Sequence, residues 1–151
     1  DEEDLDWETL DPAVVPYVKA YEQFKIDKGF IPNLIEARVY NPIYKYAGSL
    51  DRTGWITIPK EKEIILDFKT GLVSGWVALQ LAGYNLCLRK RLPRYALRLK
   101  PDGKYDLKEF TQFQDNDIFL FQASTYHWIN NNLKTKGEND GNNYSELFCA
   151  A

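Results

Sequence analysis

Near the start of the chain, apolar residues fall at helical spacing. Val14, Tyr17, Val18, Tyr21 and Phe24 share one face behind Asp11 and Pro12, and Gly29 closes the run. Asp11 is a cap candidate and proline is tolerated in a first turn, which predicts a helix here. Pro16 pulls its expected start towards itself. Leu34 to Tyr40 then reads as a strand. Tyr44 to Ile58, rich in β-branched and aromatic residues, reads as a second strand, with Gly48 and Gly54 as bends. After the charged turn Lys60-Glu61-Lys62, the run Glu63 to Phe68 is a short, mostly buried strand that Thr70-Gly71 ends.

Ser74 is a candidate cap for a helix running to about Lys90, with Trp76, Leu79, Gly83 and Leu86 along one side, and Pro93 stops it. Tyr95–Leu99 and Lys104–Leu107, joined through Pro101-Asp102-Gly103, predict a hairpin. Asp115 to Leu133 reads as a last amphipathic helix presenting Ile118, Phe119, Tyr126 and Ile129. From Lys134 to Tyr144 the chain is rich in Gly, Asn and Lys and is expected to be loose. The order α-β-β-β-α-β-β-α, without a repeat or a second domain, predicts one α/β domain: a mixed sheet flanked by helices.

The 151 residues are 44% hydrophobic and 15% aromatic, enough for a core of ordinary size. No run of 18 apolar residues exists, so the sequence encodes no transmembrane helix. The acidic start, Asp1-Glu2-Glu3-Asp4, is unlike a signal peptide, and a cytoplasmic setting is expected. The chain holds no methionine, which reads as a processed product or a piece of a longer protein. Cys87 and Cys149 build no disulfide framework, and a reducing compartment is the default.

Net charge is −3, but it is segregated. Residues 1–11 carry seven acids and no base. Between Phe68 and Pro101 there are seven bases and no acid: Lys69, Arg89, Lys90, Arg91, Arg94, Arg98 and Lys100. The other 12 bases face all 22 acids, so the remainder carries −10 against a +7 window. Local basic surface, and not net charge, decides whether a polyanion docks. A solvated basic helix end and strand is the plain alternative.

Asp51 and Asp67 stand out, because each lies in or beside an apolar strand where carboxylates are rarely buried unless paired or metal-bound. Lys69, two residues after Asp67, shares its strand face. A hairpin of the second and third strands would bring Asp51 alongside. Two carboxylates and a lysine at a sheet end suit Mg²⁺ or Mn²⁺, and an Asp–Lys ion pair without a metal is the structural alternative. Gln80 and Tyr84, four apart, share a helix face; they also read as a sheet-edge cap and a core ring. Glu36 lies opposite Ile35 and Ala37 on its strand and is either a further ligand or a solvent-facing partner of Arg38. Tyr95 and Trp76, near the basic window, are candidates for stacking on unpaired bases.

Gly48-Ser49-Leu50-Asp51, then Asp67-Phe68-Lys69-Thr70-Gly71, then Gln80-Leu81-Ala82-Gly83-Tyr84 form an ordered set. Over about Leu10 to Lys100 this set resembles the PD-(D/E)XK nuclease superfamily, in the branch of RecB-type nuclease domains and phage exonucleases. The resemblance implies a restriction-endonuclease-like fold with an αβββαβ core. It implies Asp51, Asp67 and the Phe68 carbonyl as metal ligands, with Glu36 as a further one. Lys69 would be the catalytic lysine, with Gln80 and Tyr84 facing the reacting end. RecB-type members also carry a metal-binding histidine on an N-terminal helix. Here the only histidine is His127, in the last predicted helix, and it reads as a packed or surface residue. The expectation is a domain that lacks that helix.

The function expected is therefore a Mg²⁺-dependent DNA nuclease, an exonuclease or recombination nuclease of a bacterium or an infecting phage, in which Mn²⁺ substitutes. Arg89, Lys90, Arg91, Arg94, Arg98 and Lys100 would neutralise the DNA backbone. A homo-oligomer or a recombination partner protein is compatible with the resemblance. The alternative from another class is a non-catalytic module on the same fold, binding nucleic acid or an acidic partner.

Overall fold

The structure is a computed structural model and describes residues 6–133; the expected loose tail lies outside these. Helix α1 (Val15–Lys28) is followed by strands β1 (Ile31–Asn41), β2 (Tyr46–Ile56) and β3 (Lys62–Lys69). Helix α2 (Trp76–Leu88) leads to β4 (Arg94–Leu99) and β5 (Tyr105–Phe110), and helix α3 (Asp115–Asn132) ends the domain. The element order is the one predicted from the sequence.

The strands form one five-stranded mixed sheet in sequence order, antiparallel throughout except that β3 and β4 are parallel. Parallel neighbours need a crossover of a dozen or more residues, and α2 supplies it. Helix α1 covers one face of the sheet. Its Phe24 is buried with Phe30, Ile56, Ile64, Leu66, Tyr95 and Leu97. Helix α2 covers the other, where Val77 and Leu81 meet Leu50, Ile65 and Ala96. Helix α3 lies on α2, and its Phe119 ring meets Tyr46 edge-on at 4.8 Å.

Residues of β3 thus alternate between two cores. Ile64 and Leu66 face α1, while Ile65 and Asp67 face α2. Burying each aliphatic side chain is worth about 1.5–3 kcal/mol. A one-residue slip would exchange both sets, so the register that places Asp67 is strongly held.

Local departures from the predicted elements have visible causes. Helix α1 begins at Val15 because Pro16 is accepted only in the first turn, and Gly29 ends it in the left-handed conformation at φ 55°. Ser74 does not cap α2; the N-cap residue is Gly75, without a side-chain cap bond. The buried positions of α2 are Val77, Ala78, Leu81, Ala82, Gly83 and Asn85, so the face drawn through Trp76 is wrong, and Trp76 is exposed. In α3, Asp115 and Ala123 are buried whereas Ile118 is exposed. Glu36 and Ile35 read as lying on opposite faces of the strand, yet both are exposed. Glu36 has φ 48°, and this left-handed residue breaks the alternation so that Leu34, Ala37 and Val39 all turn towards α2. No helix among the described residues is long and apolar enough to cross a membrane.

Candidate functional site

Strand β2 turns over at its middle. Leu50 joins the core under α2 and Ile56 the core under α1, although residues six apart in an unbroken strand share a face. Asp51 lies between them. Pairing of β2 with β3 runs from Ile56 with Lys62 to Arg52 with Leu66 and then stops. Beyond that point the Phe68 N–H donates to the Asp51 carboxylate instead, at 2.7 Å. A side chain thus replaces a ladder bond where the strands part, and this ties Asp51 to the main chain between Asp67 and Lys69.

Phe68 turns its ring to the opposite face, where it meets Tyr21 edge-on at 5.2 Å and lies under the Arg52 guanidinium at 5.4 Å. That anchorage commits Asp67 and Lys69 to the α2 face. Asp67 is 1% exposed. Lys69 Nζ stands 3.1 Å from Asp67 Oδ2, close enough for an ion pair, but Oδ2 has no well-directed hydrogen bond among the described residues. Burial pushes the Asp67 carboxyl up from its ordinary value, Lys69 opposes this, and the neighbouring Asp51 charge adds to the rise.

Helix α2 supplies the facing wall. Gln80 Nε2 donates to the Tyr84 hydroxyl at 3.0 Å, as the four-residue spacing allows. Burial raises the Tyr84 phenol pKa, the Gln80 contact opposes, and the charges of Asp51 and Asp67 add to the rise. The three sequence segments therefore converge: both carboxylates and the phenol lie within electrostatic reach of one another. Gly48 supplies the fit. A methyl group built on it would come within 2.6 Å of the Tyr84 ring, so only glycine admits the ring at this point of β2.

Other candidates are placed differently. Glu36 is an exposed carboxylate held by Arg52 at 3.2 Å, and not by Arg38. His127 lies in α3 against the Tyr126 ring at 5.7 Å. Tyr95 is buried in the α1-side core and takes a hydrogen bond from Lys62, so it offers no platform for a base; Trp76 is exposed.

The basic window is largely neutralised. Arg94, expected to face DNA, is instead 6% exposed. It pairs with Asp115 at 2.8 Å and donates to the carbonyls of Ala78 at 2.8 Å and Gln112 at 2.7 Å. Lys90 pairs with Glu63 and Lys100 with Asp106, each at 2.9 Å. Arg89 and Arg91 are exposed, and Arg91 lies over the Phe113 ring. A run of bases does not reveal acids brought over from β3, β5 and α3, and those acids were the missing signal.

For a divalent cation the donor set is two carboxylates and main-chain oxygen. No group of three or more His, Cys, Asp or Glu able to hold a metal occurs among the described residues. Mg²⁺ usually keeps several waters and takes one or two carboxylates, so this sparse set suits it. On the facing helix the buried Gln80 Oε1 is an acceptor with no hydrogen-bond partner among the described residues. No family model matches the chain and no curated protein matches it.

Proposed function

We propose that the protein is a metal-dependent DNA nuclease built on a restriction-endonuclease-like fold. The observation that carries this reading is the convergence of Asp51, Asp67, Lys69, Gln80 and Tyr84 from β2, β3 and α2. Two neighbouring carboxylates, one of them buried with a raised pKa, repel each other, and a divalent cation would relieve that cost.

Asp51, Asp67 and the Phe68 carbonyl would hold Mg²⁺, which when bound supplies positive field at the phosphate and lowers the pKa of its waters. Lys69 would orient the attacking water and stabilise charge developing on the phosphate. The water oxygen forms a bond to phosphorus, the P–O3′ bond breaks, and the leaving 3′ oxygen takes a proton. One water is consumed, and the products are a 5′-phosphate and a 3′-hydroxyl. The exposed Arg89 and Arg91 would hold the backbone.

The test is digestion of linear DNA with Mg²⁺. Asp67→Ala and Lys69→Ala should each abolish cleavage while the domain stays folded. Digestion by both at the wild-type rate would overturn the reading.

The pairing of Glu36 with Arg52, which leaves only two carboxylates at the site among the described residues, favours one other reading, a nucleic-acid-binding module without catalysis. Thermal melting with and without Mn²⁺ separates the two. A metal site raises the midpoint by mass action, and an ion pair alone does not.

A further inference from the structure

Two arginines of β4 lie on the same face of the sheet, and the structure treats them in opposite ways. Arg94 and Arg98 alternate with the core residues Tyr95 and Leu97, which face α1, so both point to the side of α2. Arg94 is bound for structure: a carboxylate and two carbonyls take its guanidinium. Arg98 is not. Among the described residues its Nε is buried without a hydrogen-bond partner, and its one ionic contact is Asp106 at 4.0 Å. Asp106 is already matched by Lys100 at 2.9 Å. The Arg98 side chain remains 34% exposed.

A buried donor left unpaired costs on the order of 1–3 kcal/mol. The position of Arg98 accounts for accepting that cost. In the parallel β3–β4 pair, Asp67 is opposite Ala96 and Lys69 is opposite Arg98. Arg98 is therefore the direct lateral neighbour of Lys69, on the same face, at the carboxyl ends of two parallel strands. Ligands of α/β sheets sit in the crevice outside such ends. One step back along β4 on the same face is Ala96, small and fully buried, which is the register partner of the buried Asp67. A guanidinium presents a planar fork that matches two phosphate oxygens, and its charge does not titrate near neutrality.

We propose that Arg98 binds the non-bridging oxygens of the scissile phosphate beside Lys69, and so is a catalytic residue of this site. The inference rests on the nuclease reading and sharpens it. It separates Arg98 from the cations that merely track the backbone, and predicts that its contribution falls on the chemical step.

The experiment is steady-state cleavage of a linear duplex in Mg²⁺, with folding checked by circular dichroism. Arg98→Ala should lower kcat about 10²-fold, as loss of one oxyanion donor does, and leave KM nearly unchanged. Arg98→Lys, which keeps the charge without the fork, should fall between the two. It also carries the test if the alanine variant does not fold. Lys104→Ala, in the β4–β5 turn, serves as the control and should match wild type. If both Arg98 variants keep the wild-type kcat, or lose only KM, while Lys69→Ala is inert, the Arg98 role is overturned and the nuclease reading stands. If the wild-type protein itself cleaves nothing, the nuclease reading falls and the role of Arg98 falls with it.

Discussion

Gly48 lies directly under the ring of Tyr84, with room for hydrogen but not for a methyl group: a Cβ there would stand 2.6 Å from the ring's Cε1. Two residues 36 positions apart thus set one surface, and the placing of a phenol that feels the charges of Asp51 and Asp67 depends on the missing side chain of β2.

Gly48→Ala should therefore act at a distance. The ring must move, and overpacking of this kind costs about 1–3 kcal/mol. If the nuclease reading holds, a displacement of about 1 Å at the phenol should lower cleavage by up to about 10²-fold. Tyr84→Ala in the Gly48→Ala background removes the clash, so the double variant should melt above the sum of the two single effects. Strict additivity in urea unfolding would show that the ring does not rest on Gly48.

Much of this arrangement is readable from the sequence because it rests on spacing. Asp67 and Lys69 share a strand face, Gln80 and Tyr84 share a helix face, and Pro16 and Gly29 bound α1 where their backbone restrictions require, whereas α2 ends at Leu88 on a left-handed Arg89 and not at Pro93. What escaped was pairing between distant segments. Nothing near Arg94 in the chain announces that Asp115 will neutralise it, and nothing near Glu36 announces Arg52. The left-handed backbone of Glu36 is equally silent, since a strand of ordinary composition carries no mark of the residue that turns it over. Tyr95 misled for a related reason. Beside a basic stretch it reads as a base platform, but strand alternation buries it against Phe24 and Leu66.

Asp67 should make the protein less stable than a neutral isostere would. Its folded pKa is raised above the ordinary 3.8, and burial, the largest cause, outweighs the opposing Lys69. The folded state thus holds the proton to higher pH than the unfolded chain. Stability from the protonated form is full below the ordinary value and is lost as pH rises through the raised one. Asp67→Asn in EDTA at pH 7 should consequently melt above wild type by about 2–4 °C, the shift that roughly 1 kcal/mol produces at this chain length. The difference should shrink as pH falls below the usual carboxylate range. Under the nuclease reading, Mn²⁺ should raise the midpoint of wild type and leave the variant unmoved. An Asp67→Asn variant that melts below wild type in EDTA at every pH would show that Lys69, not burial, dominates the carboxylate's energy.

Arg94 should behave as a structural residue in every assay. With Asp115 it forms a pair whose side chains are 7% and 12% exposed, joining β4 to the start of α3. Removing one partner of a buried pair leaves the other charge uncompensated and costs about 3–5 kcal/mol, whereas replacing both with apolar groups is often neutral. Arg94→Met should therefore lower the unfolding free energy by that amount, and Arg94→Met with Asp115→Leu should recover the part due to the stranded carboxylate but not the part due to the Ala78 and Gln112 carbonyls that lose their donor. DNA binding is the complementary readout. If Arg94 touches no phosphate, the slope of log affinity against log salt should be unchanged in the double variant, while Arg89→Ala should reduce it by about one. A reduced slope in a folded Arg94→Met, Asp115→Leu protein would return Arg94 to the interface from which its burial removes it.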